Sequence, residues 1–374
     1  MSKSNFTGAC LFMISCISLV ISTKCCDQTK KAALFVFGDS GFDVGNNNYF
    51  NTSGQANYFP YGETFFTYPT GRFSNGRLIP DFIAEYAKLP LIPPYLYPGY
   101  VDFTNGVNFA SGGAGALLET RQGYRANKAL DKAISLQTQL SYFKNVSRLL
   151  RQELGDVEAK TLLSRAVYLF NVGANDYTSL FDTSSSALES LTTAQFVGMV
   201  IGNISSVIAE IYKMGGRKFG LQTVRPIACI PYGRVLATAK YNESCLDQST
   251  PFVLLHNQEL SKLLQKLNGK LNGFRYSLSD YYTFLLERMD DPSKYGFKEG
   301  TVACCGSGPY RGIFNCGGKR GKEYYYLCGN VSEYVFFDCC HPTERVYQQF
   351  AEQEWSGKPS LKGSYNLREL FESK

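Results

Sequence analysis

Short apolar runs alternate with longer amphipathic stretches along most of this chain, and that alternation restricts its fold more than any other feature. The candidate strands are residues 33–37, 107–110, 166–172, 219–224 and 274–278. Between them, residues 77–88, 134–150, 194–214 and 251–271 carry apolar side chains at three- and four-residue spacing, the mark of a helix with one buried face. Gly215 and Gly216 close the third of these stretches, as a helix end requires. Strand and helix in alternation imply parallel strands joined by crossover helices, hence an α/β sheet covered on both faces. No repeat or Pro/Ser-rich linker divides the 374 residues, so one domain is expected.

The N-terminus reads as an address. Lys3 precedes a largely apolar segment, residues 9–21, followed by small and polar residues, which is a signal-peptide pattern. Cleavage is expected between Ser22 and Cys26, leaving a domain of residues 26–374. The apolar segment is short for a bilayer span, and no later stretch reads as a transmembrane helix of about 20 apolar residues. Beyond the leader, five N-x-S/T sequons, at Asn51, Asn145, Asn203, Asn242 and Asn330, agree with secretion. Cys10 and Cys16 leave with the leader and Cys25 and Cys26 lie at its edge; the eight that remain, Cys229, Cys245, Cys304, Cys305, Cys316, Cys328, Cys339 and Cys340, also agree. An even set in an oxidising compartment suggests disulfides, and the isolated pair Cys229 and Cys245 suits closure of one loop. A zinc site finds no C-x-x-C pair and only 2 histidines in the chain. The formal charge of +6 is scattered, with no basic run of five or more, which disfavours nucleic acid and leaves weak attraction to acidic surfaces open.

Chemistry concentrates where apolar runs end. In "LFVFGDSGFDVGNNN", residues 34–48, Ser40 follows the first run and is flanked by Gly38 and Gly41. That places it at the carboxyl end of a strand, the edge at which open α/β sheets hold their ligands. Asp39 and Ser40 could equally cap a helix. "GVNFASGGAGAL", residues 106–117, and "YLFNVGANDY", residues 168–177, end the same way and reach the same edge. Gly112 offers a bare backbone N–H and Asn175 a side-chain amide, the neutral donors that an oxyanion needs. Close packing for the glycines and helix capping for Asn175 and Asp176 are the competing readings. "YVFFDCCHPTERVYQQF" adds Asp338 and His341. Pro342 keeps His341 out of helical geometry and opens the helix that follows, whose N-terminus disfavours a charged imidazole. Asp338, three residues back, can hold the other ring nitrogen. His256 lies inside an amphipathic stretch, where packing is the simpler role.

A serine with neutral donors and a His–Asp pair is an acyl-transfer constellation. No G-x-S-x-G elbow occurs in the chain. With these blocks in this order, the chain resembles the plant GDSL esterase/lipase group of the SGNH hydrolases, over residues 32–360. "PTGRFSNGRLIPDFIAEY" and "ACCGSGPY" support the likeness. The resemblance implies a single-domain three-layer α/β/α fold with a five-stranded parallel sheet of flavodoxin-like order. It implies Ser40 as nucleophile, His341 as base and Asp338 as its orienting acid. It also implies an oxyanion hole of the Ser40 N–H, the Gly112 N–H rather than that of Gly113, and the Asn175 side chain. A small-molecule or lipid ester is the implied substrate, with no metal or organic cofactor required. Gly41, Phe337 and the pair Cys339 and Cys340 depart from the group's usual residues and bear on the shape of the acyl pocket. The same acyl-enzyme would also serve an acyltransferase of plant secondary metabolism, and an inactive secreted binding or defence protein is the remaining alternative. Secretion to the apoplast is expected, with vacuole and endoplasmic reticulum as other destinations of the same route.

Overall fold

The computed structural model describes residues 32–120, 132–182, 191–241, 245–319, 324–359 and 363–373. Five parallel strands, β1 (Leu34–Gly38), β2 (Gly106–Asn108), β3 (Val167–Asn171), β4 (Lys218–Gln222) and β5 (Arg275–Ser279), form one sheet in the order β2-β1-β3-β4-β5. Each strand overlies its expected run, with ends displaced by a residue or two. The order is the flavodoxin-like one, and its reversal between β1 and β3 opens a crevice at the carboxyl edge.

Among the described residues the helices are α1 (Ile79–Tyr86), α2 (Leu136–Leu154), α3 (Asp156–Arg165), α4 (Ala174–Asp182), α5 (Thr193–Lys213), α6 (Pro231–Tyr241), α7 (Thr250–Lys270), α8 (Tyr281–Asp290), α9 (Glu344–Ser356) and α10 (Leu367–Glu372). The two-residue period of β1 sorts its side chains onto opposite faces. Phe35 and Phe37 join Tyr168, Phe170 and Phe219 against α2, α5 and α7. Leu34 and Val36 join Val167 and Leu169 against α1, α8, α9 and α10. All these side chains are buried, each contributing roughly 1.5–3 kcal/mol. Two apolar layers thus hold one sheet, the expected three-layer α/β/α fold.

Helix α5 corrects one expectation. It has 21 residues and a most apolar window of mean hydropathy 1.4, so by length and composition alone it could cross a membrane. Its Phe196, Val200, Ile204, Val207 and Ile211 are instead buried in the aromatic layer. A capping box between Thr192 and Gln195 starts it, and Gly215, at φ 122°, follows its end.

Among the described residues three disulfides are formed: Cys229 with Cys245, Cys304 with Cys328, and Cys305 with Cys316. The last two staple the Gly-rich loop after α8, where β6 (Cys305–Gly306) pairs with β7 (Tyr326–Leu327). Cys339 and Cys340, counted above among the disulfide candidates, are in no disulfide; their sulfurs stand 3.2 Å apart. Consecutive residues are the reason. A trans peptide holds their Cα atoms about 3.8 Å apart, less than the roughly 4.4 Å at which ordinary disulfide geometry begins.

Candidate active site

Ser40 sits two residues beyond β1, in a turn that the end of β3 fixes. The Asp39 N–H donates to the Asn171 carbonyl at 3.0 Å. Gly38 is required there, since it stands at φ 153° and a Cβ on it would lie 2.3 Å from that same carbonyl oxygen. Gln139 on α2 clamps both sides of the peptide, accepting from the Gly38 N–H at 2.9 Å and donating to its carbonyl at 2.8 Å. The chain then reverses through the Phe42 and Asp43 N–H groups, both bonded to the Asp39 carbonyl.

Asp338 and His341 meet Ser40 from the far end of the chain. His341 Nε2 lies 2.7 Å from Ser40 Oγ, across 301 residues of sequence. Its Nδ1 lies 2.8 and 2.9 Å from the two Asp338 oxygens. The Cys340 and His341 N–H groups both donate to Asp338 Oδ1 at 2.8 Å, and the Tyr61 hydroxyl donates to Oδ2 at 2.7 Å. Burial alone would raise the Asp338 pKa; His341 beside it and the bonds from His341, Tyr61 and Cys340 outweigh that and hold it at about 2. Ser40 is 6% exposed, Asp338 0% and His341 3%, so the contact is sheltered yet Ser40 can still be reached. The Phe73 ring packs against the imidazole at 4.9 Å.

The neutral donors converge on the same edge. Asn175 lies in the first turn of α4, its Nδ2 2.9 Å from the Ala114 carbonyl and 3.4 Å from Asp39 Oδ2. The Gly112 N–H is taken: it donates to Asp43 Oδ2 at 2.9 Å. Asp43 also accepts from the Gly45 and Asn46 N–H groups; burial pushes its pKa up to about 6, while these N–H groups pull it down. By contrast, the N–H groups of Ser40 and Gly113 have no hydrogen-bond partner among the described residues.

Comparison with known proteins bears on this site. The family described as GDSL-like Lipase/Acylhydrolase matches residues 34–354. The chain belongs to that family. GDSL esterase/lipase 1 of Arabidopsis thaliana is 50% identical over 381 residues, covering 100% of each chain. A GDSL lipase of Tanacetum cinerariifolium is 48% identical over 366 residues, covering 97% of this chain and 94% of its own. GDSL membership makes this a carboxylic ester hydrolase.

Within the GDSL framework, the structure brings Ser40, Asp338, His341 and Asn175 to one edge and leaves Gly112 committed to Asp43. Several supporting residues escaped the sequence reading. Asp43, Gln139 and Tyr61 are three. Asp176, read above as a possible helix cap, instead gathers the Ala116 and Leu117 N–H groups and the Thr120 hydroxyl to hold the glycine loop. Only the "NDY" context of Asp176 hinted at a bonded carboxylate; a lone Gln or Tyr carries no such signal. His256 is buried against Gly173 with its Nδ1 2.7 Å from the Tyr177 hydroxyl, and burial lowers its pKa to about 3. It is a packed neutral imidazole. Phe337 and Gly41 are both buried, Phe337 edge-on to Tyr61. Of the sequons, Asn51 and Asn330 are exposed, Asn145 and Asn203 are half-buried on α2 and α5, and Asn242 lies outside the described residues.

Proposed function

We propose that this chain is a secreted serine esterase that turns over carboxylic esters through an acyl-Ser40 intermediate. The 2.7 Å contact between Ser40 Oγ and His341 Nε2 carries the reading. Ser40 Oγ attacks the ester carbonyl as its proton passes to Nε2; the imidazolium then protonates the departing alcohol. Water, deprotonated by the same nitrogen, attacks the acyl-serine and releases the acid. Asp338 holds Nδ1 and offsets the positive charge that develops on the ring.

The oxyanion hole in this reading is the Ser40 N–H, the Gly113 N–H and the Asn175 amide, with Gly113 replacing Gly112. The reason is hydrogen-bond accounting: the single Gly112 hydrogen is bonded to the buried Asp43 carboxylate at 2.9 Å, the Ser40 and Gly113 N–H groups have no partner among the described residues, and the Asn175 amide must release its long 3.4 Å contact with Asp39 to join them. Asp43 then serves the hole indirectly, by pinning Gly112 and so the peptide that follows it. Asn175→Ala should lower kcat for p-nitrophenyl esters by roughly 100-fold or more with a small change in KM. An unchanged kcat would move the role elsewhere. Folded wild-type protein that neither hydrolyses p-nitrophenyl esters from acetate to palmitate nor labels with a fluorophosphonate would end the esterase reading.

Secretion rests on the leader-like residues 1–25, the three disulfides and the exposed sequons. Residues 26–374 are then the mature enzyme. Protein recovered from the medium of plant cells should begin near residue 26 and lose apparent mass with an endoglycosidase. Asn51→Gln and Asn330→Gln should each remove one glycan step on a gel; intact mobility in both would discard these acceptors.

A further inference from the structure

We propose that Tyr61 is a positioning residue of the esterase reaction, its hydroxyl fixing the Asp338 carboxylate against His341. This inference rests on the esterase reading above. Tyr61 lies 277 residues from Asp338 in sequence, yet its Oη donates to Asp338 Oδ2 at 2.7 Å. The other oxygen, Oδ1, is held by two backbone N–H groups of its own loop. Among the described partners, Oδ2 has only Tyr61 and the imidazole it serves. Without the hydroxyl, one side of the carboxylate would answer to His341 alone. The carboxylate could then turn with the ring instead of orienting it.

The surroundings are built to aim that hydroxyl. The Tyr61 ring is fully buried, edge-on to Tyr58 at 5.4 Å, Phe73 at 6.2 Å and Phe337 at 5.4 Å. Phe73 in turn lies against His341, so one aromatic cluster braces both members of the pair. Backbone bonds from the Tyr61 N–H to the Tyr58 carbonyl and from the Gly62 N–H to the Ser74 carbonyl fix the segment that carries the ring. Packing alone would be satisfied by phenylalanine; a fully buried phenol directed at a carboxylate oxygen has an electrostatic task.

The effect has a predictable sign. A hydrogen bond to Oδ2 draws negative charge away from the face that meets the imidazole. Removing it leaves more of that charge on His341 and favours the protonated ring, which cannot accept the Ser40 proton. The titratable groups facing the pair are Tyr61 from its own segment, Ser40 after β1, Cys339 and Cys340 in the same loop, and Tyr347 from α9, with the Arg225 cation beyond Cys340. Tyr61→Phe changes one of these and keeps the ring.

The test compares wild type and Tyr61→Phe in p-nitrophenyl ester hydrolysis across pH. We expect kcat to fall about 10-fold with KM within about twofold, and the acid limb of kcat/KM to move up by about half a pH unit. A second measurement guards against a change in folding. Rates of fluorophosphonate labelling, which stay measurable in slow variants, are taken for Tyr61→Phe in the wild-type and Asp338→Asn backgrounds. The loss should shrink to less than about twofold where Asp338 is already changed, because coupled residues are not additive. Equal losses in both backgrounds, or a lower Tm with superimposable pH profiles, would assign Tyr61 to packing and overturn the proposal. Failure of the esterase reading looks different: wild type itself would be inactive, or Ser40→Ala would retain turnover.

Discussion

Ser40→Ala lowers kcat/KM for p-nitrophenyl esters by roughly 10⁴-fold or more and abolishes fluorophosphonate labelling, while the protein folds as before. The expectation follows from what each atom of Ser40 contacts. Its Oγ meets His341 Nε2 at 2.7 Å, and its N–H has no partner among the described residues. Removing the hydroxyl therefore deletes the attacking atom and one contact, and leaves the turn intact. That turn depends on Gly38, Asp39 and Asn171, none of which is altered. Tm should change by only a degree or two, because the substitution removes one side-chain contact and no backbone bond. The residual rate is also informative. His341 and the remaining donors could still direct water at a bound ester, so a small rate above background is compatible with the mechanism. Turnover within tenfold of wild type, from protein checked by mass spectrometry, would sink the assignment of Ser40 as nucleophile.

Much of this was legible because buried parallel strands write themselves as apolar runs. Leu34 to Phe37 and Val167 to Phe170 have no polar interruption, since helices cover both faces of the sheet. Once the strands are parallel, their carboxyl ends share one edge, and that topology brings Ser40 and Asn175 together. His341 arrives there for another reason: residues 335–337 bond the stapled loop, Pro342 bridges back to Phe336, and Thr343 caps α9. What stayed hidden depends on pairings that no local spacing encodes. The Gly112 N–H is taken by Asp43, 69 residues away. Apolarity alone could not say whether α5 meets a membrane or a sheet; its neighbours decide that. Cysteine counting treated Cys339 and Cys340 as two more candidates, although chain geometry sets them apart from the six that pair. Tyr61 resembled any other aromatic in a chain with 26 tyrosines, and only the fold gives it a carboxylate to face.

Asp338→Asn should cost about 10³–10⁴ in kcat, and the hydrogen bonds around the carboxylate say why. The Cys340 and His341 N–H groups both donate to Oδ1, so the amide of the variant must keep its oxygen there. Its NH₂ then occupies the Oδ2 position, 2.9 Å from His341 Nδ1. Oδ1 remains 2.8 Å from Nδ1 as an acceptor, but the NH₂ placed 2.9 Å from the same nitrogen is a competing donor, and it favours the tautomer that carries the ring proton on Nε2. Nε2 then presents a hydrogen to Ser40 Oγ where the reaction needs a lone pair. The anion that offsets the developing imidazolium is lost as well. A stability change accompanies the kinetic one, and its sign is fixed. The folded Asp338 pKa is held at about 2, below the ordinary value of 3.8, so its charge stabilises the fold fully above that ordinary value. This contribution fades as pH falls through about 2. Wild type should therefore exceed the variant in Tm at pH 7, and the gap should narrow on acidification below pH 4. An active variant with a wild-type pH profile would mean that Asp338 does not set the tautomer, and that His341 takes the serine proton without its help.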